Sequence, residues 1–138
     1  MDQERTGRKK VILVADGDIQ RLEYVREILT AAGYGVLTAT SVEEAEALAD
    51  TDAIIDLVIC SVVMGTGGES GVHLAEYIER SKRTNRTLLF SHFPTELLRH
   101  VPGFSNQRHF IENPFTPEEL VHRAHYLLRM PRPKKISN

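Results

Sequence analysis

Six residues of this chain carry side chains or backbone freedom that chemistry could use: Asp16, Gly17 and Asp18 in one short segment, then Ser61, Ser91 and Asn113. Each follows an apolar run. The segment Asp56-Leu-Val-Ile-Cys-Ser61-Val-Val-Met64 reads as a buried strand whose polar residue is aimed at the mouth of a sheet, where a catalytic group would be placed. Ser61 is nonetheless a weak reagent, because a hydroxyl without a base is a poor nucleophile and brings no charge to hold a divalent cation. Asp16 alone is a weak metal candidate. Asp18 stands immediately before an amphipathic stretch, which favours a helix-capping role over an inward one.

The elements that must position these residues alternate in type. Lys10 to Ala15, Gly35 to Ala39, Asp56 to Val62, Thr87 to Ser91 and His109 to Glu112 are short runs rich in Val, Ile, Leu, Phe or Thr, as buried parallel strands are. Between them lie helical patterns. Ile19, Leu22, Val25, Leu29 and Ala32 share a face behind Asp18, and Val72, Ala75 and Ile78 share one within Gly71 to Lys82. Ser41 with Glu44, and Thr116 with Glu119 and Pro117, are helix-start signals of the capping-box kind. Thr95 to Val101 reads as a short helix at best, closed by Pro102-Gly103.

Strict strand–helix alternation predicts an α/β fold, a three-layer α/β/α sandwich around a five-stranded parallel sheet of flavodoxin-like order 2-1-3-4-5. Chemistry in such sheets sits outside the carboxyl ends of the strands, which is where all six residues fall. The chain has 138 residues, 41% of them apolar, enough for one core in one domain. Residues 1–9 and the basic stretch 130–138 read as flexible flanks of a domain spanning 10–129.

With 17 Lys and Arg against 19 Asp and Glu, a formal charge of −2 and a pI near 6.3, nothing marks a nucleic-acid or membrane-surface binder. The partners implied are proteins or small ligands. The lone Cys60 cannot form an internal disulfide and reads as a small core residue; no run spans a membrane, and no signal-peptide pattern opens the chain. A cytoplasmic location is expected.

The constellation resembles the response-regulator receiver family, the CheY-like phosphoacceptor domains of two-component signalling. Val11-Ile-Leu-Val-Ala-Asp16 with Gly17-Asp18, the Asp56 to Met64 segment, Leu88-Leu-Phe-Ser91-His92, and Phe110-Ile-Glu-Asn113-Pro114-Phe115 carry the resemblance, which covers residues 10–129. Such a receiver holds Mg²⁺ with paired acidic residues and an aspartate that accepts the phosphoryl group. A Ser or Thr senses that phosphate and a Lys pairs with it. By position this chain keeps Asp16, but has Gly17 at the second acidic place, Ser61 at the acceptor, Ser91 at the sensor and Asn113 at the lysine. The resemblance also implies a cis peptide before Pro114 and a switch role for Ser91 and Phe110; the alternative is that Ser91 caps a loop and Phe110 packs in the core.

The function implied is a stand-alone, atypical receiver that signals through protein–protein interaction, without conventional aspartyl phosphorylation and without enzymatic activity. No cofactor is expected beyond weak Mg²⁺ binding. By family analogy the contact face combines the segment after strand four, strand five and the last helix, with Arg99, His109, His122 and Tyr126, and a homodimer through it is allowed. Two rivals stand beside this reading: a working Mg²⁺-dependent phosphoacceptor of a phosphorelay, and a module that binds small anions in the crevice near Gly65 to Gly71. That loop lacks the Lys-Ser or Lys-Thr pair of a P-loop, and Ser70 stands where a dinucleotide fingerprint needs glycine. His122 and His125 lie one turn apart with no third ligand at suitable spacing, which reads as a surface pair.

Overall fold

Apolar residues alternate between two sides along every central strand, and this alternation builds two cores. In the computed structural model, the residues described are 8–64, 71–82, 86–91 and 109–130. They form β1 (Val11–Ala15), α1 (Ile19–Ala31), β2 (Gly35–Ala39), α2 (Val42–Ala49), β3 (Leu57–Ser61), α3 (Gly71–Lys82), β4 (Thr87–Ser91), β5 (His109–Glu112) and α4 (Pro117–Arg129). The strands pair in parallel in the order β2-β1-β3-β4-β5. Ile12, Val14, Leu57, Ile59, Leu88 and Phe90 face one side, under Leu22, Val25 and Leu29 of α1 and Leu120, Ala124 and Leu127 of α4. Leu13, Ala15, Val58, Cys60 and Leu89 face the other, under Ala45 and Ala49 of α2 and Leu74, Ala75 and Ile78 of α3. β3 and β4 are buried throughout, the condition for a sheet covered on both faces.

Helix termini follow the local chemistry expected of them. Asp18 caps α1 by accepting from the Arg21 N–H, and Thr116 and Glu119 close a full capping box around Pro117 at the start of α4. At α2 the Ser41 hydroxyl accepts from the Glu44 N–H, but the Glu44 carboxylate returns one residue further back, to the N–H and hydroxyl of Thr40. α1 ends in a Schellman turn. Gly33 takes a φ of 101°, the Gly33 N–H reaches the Thr30 carbonyl and the Tyr34 N–H the Leu29 carbonyl, a geometry that β-carbon-bearing residues resist.

Two members of the α1 apolar face depart from expectation. Ile19 is 61% exposed and Ala32 is the exposed C-cap, so the buried stripe is Leu22, Val25 and Leu29 alone. Ile19 is the first residue of the helix and Ala32 its cap. The helix expected over Thr95 to Val101 lies outside the described residues. Among the described residues, no helix is long and apolar enough to cross a membrane.

Candidate functional site

Strand register brings four of the six chemical residues to one edge. β1 pairs Ala15 with Cys60 of β3, β3 pairs Ser61 with Phe90 of β4, and β4 pairs Ser91 with Glu112 of β5. The next residues, Asp16 and Asn113, therefore follow on at the same carboxyl edge. Main-chain bonds extend the ladder there: the Asp16 N–H donates to the Ala39 carbonyl at 3.1 Å, Val62 to Phe90 at 3.0 Å and Asn113 to Ser91 at 2.7 Å. Asp16 is 1% exposed and Ser61 and Ser91 are each 5% exposed. Gly17 and Asp18 sit in the exposed turn above them.

Gly71 fixes the shape of this edge. Its N–H donates to the Val62 carbonyl at 2.8 Å, and a β-carbon at this position would stand 1.7 Å from the Ser61 carbonyl oxygen. Only glycine lets α3 start this close to the end of β3. Cys60, buried in β3, directs its thiol to the Gly71 carbonyl at 3.5 Å, which places it in the core rather than in the site. Residues 65–70 of the glycine-rich loop, His92 and Arg99 lie outside the described residues.

Electrostatics at the edge centre on a residue that the sequence reading left unremarked. Arg21, in the first turn of α1, forks onto Asp16: Nε donates to Oδ2 at 2.5 Å and Nη2 to Oδ1 at 2.9 Å. The Asp18 N–H also donates to Asp16 Oδ1, at 3.0 Å. A further guanidinium nitrogen, Nη1, lies 3.8 Å from Asp18 Oδ2, so one cation sits between the two carboxylates of the turn. Its Cζ is 5.2 Å from the centroid of Phe90, whose ring tilts against Phe115 at 6.0 Å. A signal for this was present: an arginine three residues past the cap opposes the helix dipole and needs a partner, which Asp16 provides.

The remaining positions divide by role. The Asn113–Pro114 peptide is cis. Phe110 is half-buried against the α2/α3 core, and its carbonyl accepts from Arg123 of α4 at 2.9 Å. His109 pairs with Leu88 in the ladder; burial, then the nearby Arg123 charge, lowers its pKa from the ordinary 6.5. His122 and Tyr126 are exposed on α4. His122 also lines a groove between α1 and α4 with Ile28, Ala32, Val121 and His125. His125 lies 3.4 Å from the Tyr34 hydroxyl through Nδ1 and 3.4 Å from Arg129 through Nε2, so the two histidines do not converge on a shared ligand. Among the described residues no group of three His, Cys, Asp or Glu side chains could hold a metal ion.

Fold and edge geometry are those of a receiver, and comparison with known proteins agrees. The profile of the response regulator receiver domain matches residues 12–125, and the chain belongs to that family, the receiver domains of two-component response regulators. A response regulator receiver protein from Sinorhizobium medicae superposes with a TM-score of 0.76 at 23% identity, over 88% of this chain and 95% of that one. The non-phosphorylated HemR receiver domain from Leptospira biflexa gives 0.72 at 26%, over 92% and 100%. The chemotaxis response regulator CheY4 of Vibrio cholerae gives 0.74 at 23%, over 87% and 99%. No curated protein matches the chain.

Proposed function

We propose that this chain is a degenerate receiver that acts in two-component-type signalling through binding to other proteins, without aspartyl phosphorylation. Receiver domains are signalling modules that work through protein contacts, and the chemistry left at this edge suits that role alone. The observation that carries the reading is Ser61, 5% exposed at the end of β3, where the family's phosphoryl acceptor is an aspartate. A hydroxyl there has no carboxylate nucleophilicity and adds no charge toward a cation. Gly17 removes a second carboxylate, and Asn113 offers hydrogen bonds where a lysine would offer fixed positive charge.

Mg²⁺, which the family implies, takes near-octahedral oxygen ligands, usually with one or two carboxylates. The residues present do not fit it: Asp16 already receives three N–H donors and Asp18 caps α1. The module proposed spans residues 10–129 and works in the cytoplasm. Its contact face comprises Arg99, His109, His122 and Tyr126; an exposed aromatic and an exposed imidazole on α4 are the side chains such a face would use.

Restoring the missing groups tests this reading. The quadruple variant Gly17→Asp, Ser61→Asp, Asn113→Lys, Arg21→Gln, in which Asp16 is also freed of its guanidinium, incubated with a small phosphoryl donor and Mg²⁺, is expected to gain one phosphoryl mass while the wild-type chain gains none. Mg²⁺-dependent incorporation into wild type would establish the rival phosphoacceptor reading instead.

A further inference from the structure

A carboxylate that is 1% exposed at the carboxyl edge of a sheet needs a counter-charge, and in this chain that charge is covalently attached. We propose that Arg21 is a tethered cation: its guanidinium occupies the place between Asp16 and Asp18 that a divalent ion would need, and so closes this edge to metal. The inference deepens the reading of the preceding subsection and rests on its view that the edge works without metal.

Three independent features of Arg21 support the assignment. Its fork satisfies both Asp16 oxygens, leaving them to share only the lone pairs not already directed at Nε, Nη2 and the Asp18 N–H. Its third nitrogen faces Asp18, the other acidic side chain of the turn, at 3.8 Å. Its Cζ lies 5.2 Å from the ring centroid of Phe90, which is paired in register with Ser61, so the charge is held over the strand that neighbours the acceptor position. An incoming Mg²⁺ must displace a group that is always present at the high effective concentration of an attached side chain, and it meets like charge on approach. The side chain is only 17% exposed, which limits how far water screens that repulsion.

The consequence is a site fixed in one electrostatic state. Arg21 cancels the charge of Asp16, and the one remaining negative charge of the turn is on Asp18, which caps α1, so the balance of the turn is set by attached groups and not by divalent ions. The arginine also sits where the helix dipole disfavours it, at the third position of α1, a location that its role at Asp16 accounts for and its helix does not.

Mn²⁺ is the probe, read by water-proton relaxation and by the Mn²⁺-dependent change in melting temperature. Wild type, Arg21→Lys, Arg21→Gln and Arg21→Gln combined with Asp16→Asn are compared. Expected is at least tenfold tighter Mn²⁺ binding in Arg21→Gln than in wild type, an intermediate affinity in Arg21→Lys, where the fork is lost and the charge kept, and loss of the gain when Asp16→Asn is added. Wild type binding Mn²⁺ as tightly as Arg21→Gln would overturn the proposal. If Arg21→Gln does not fold without metal, Arg21→Lys decides, and an affinity equal to that of wild type overturns it. Phosphoryl incorporation is a separate readout, so the proposal about Arg21 and the reading of Ser61 can fail independently.

Discussion

Each end of this sheet buries one aspartate against one arginine, and the two pairs serve different ends. At the amino edge Asp56, 3% exposed, takes a fork from Arg8 at 2.9 and 3.1 Å and the Val11 N–H at 2.7 Å. That pair ties the segment before β1 to the start of β3. At the carboxyl edge Asp16 takes its fork from Arg21, five residues along the same chain, with Phe90 beneath the guanidinium. The Arg8 side chain is 40% exposed and that of Arg21 is 17% exposed. The outer pair is a clasp on a strand, open to water and replaceable. The inner pair lies at the edge that carries Ser61 and Ser91, and what it teaches is that this fold partners its buried acid with a side chain from the next helix turn.

The sharpest way to break this contrast is steric. Gly71→Ala drives a methyl into the Ser61 carbonyl and is expected to destabilise by about 3 kcal/mol or more. Gly35→Ala at the amino edge of β2 meets Val11 at 3.5 Å and the Lys10 carbonyl oxygen at 3.8 Å, both ordinary contacts, and should change stability by about 0.5 kcal/mol at most. Urea melts of both variants check the pair. Removing each arginine is the next test. Arg21→Ala strands a carboxylate that is almost fully buried, with an expected loss of about 3 kcal/mol. Arg8→Ala leaves Asp56 the Val11 N–H and removes a screened partner, with an expected loss of about 1 kcal/mol. Equal losses would show that the two pairs are energetically alike.

Acid titration sharpens the comparison further. Burial would raise the Asp56 pKa, but hydrogen bonds from Arg8 and the Val11 N–H outweigh it and hold the carboxyl below its ordinary 3.8. A depressed acid stabilises the fold fully above the unfolded value and loses that contribution as pH falls through the folded one. Unfolding free energy should therefore drop below about pH 3.8, and the drop should shrink in Arg8→Ala. His109, lowered from 6.5 by burial and by Arg123, adds a milder decline as pH falls below 6.5 toward its folded value, because the unfolded chain then takes up more protons. Smallest of all, Tyr126→Ala and His122→Ala on the exposed face of α4 are expected to leave stability within about 0.5 kcal/mol and, under the proposed contact face, to weaken partner binding.

Much of this molecule was legible in its sequence because local chemistry and packing agree. The five apolar runs became strands to within one residue at each end, and Asp18, Ser41 and Thr116 each cap the helix they precede. The ends of α1 were misread because a helical stripe predicts a face, while packing decides how far along the helix that face is covered; Ile19 is 61% exposed. The Gly33 turn and the contact of Gly71 with Ser61 depend on backbone direction, which residue type alone does not specify. Arg21 escaped notice for a related reason. In sequence it is one more charged residue on an amphipathic helix, and only the turn formed by Gly17 and Asp18 brings it back onto Asp16.

Backbone amide NMR of the ¹⁵N-labelled wild-type chain, recorded before and after Mg²⁺ and then a beryllofluoride phosphoryl mimic are added, tests the central claim most directly. A site already filled by Arg21 and lacking an acceptor carboxylate should leave the amides of Asp16, Asp18, Arg21, Ser61, Ser91 and Asn113 unmoved at both steps. Saturable shifts at those amides, first with Mg²⁺ and again with the mimic, would mean that the edge still binds cation and phosphate, and would contradict the account.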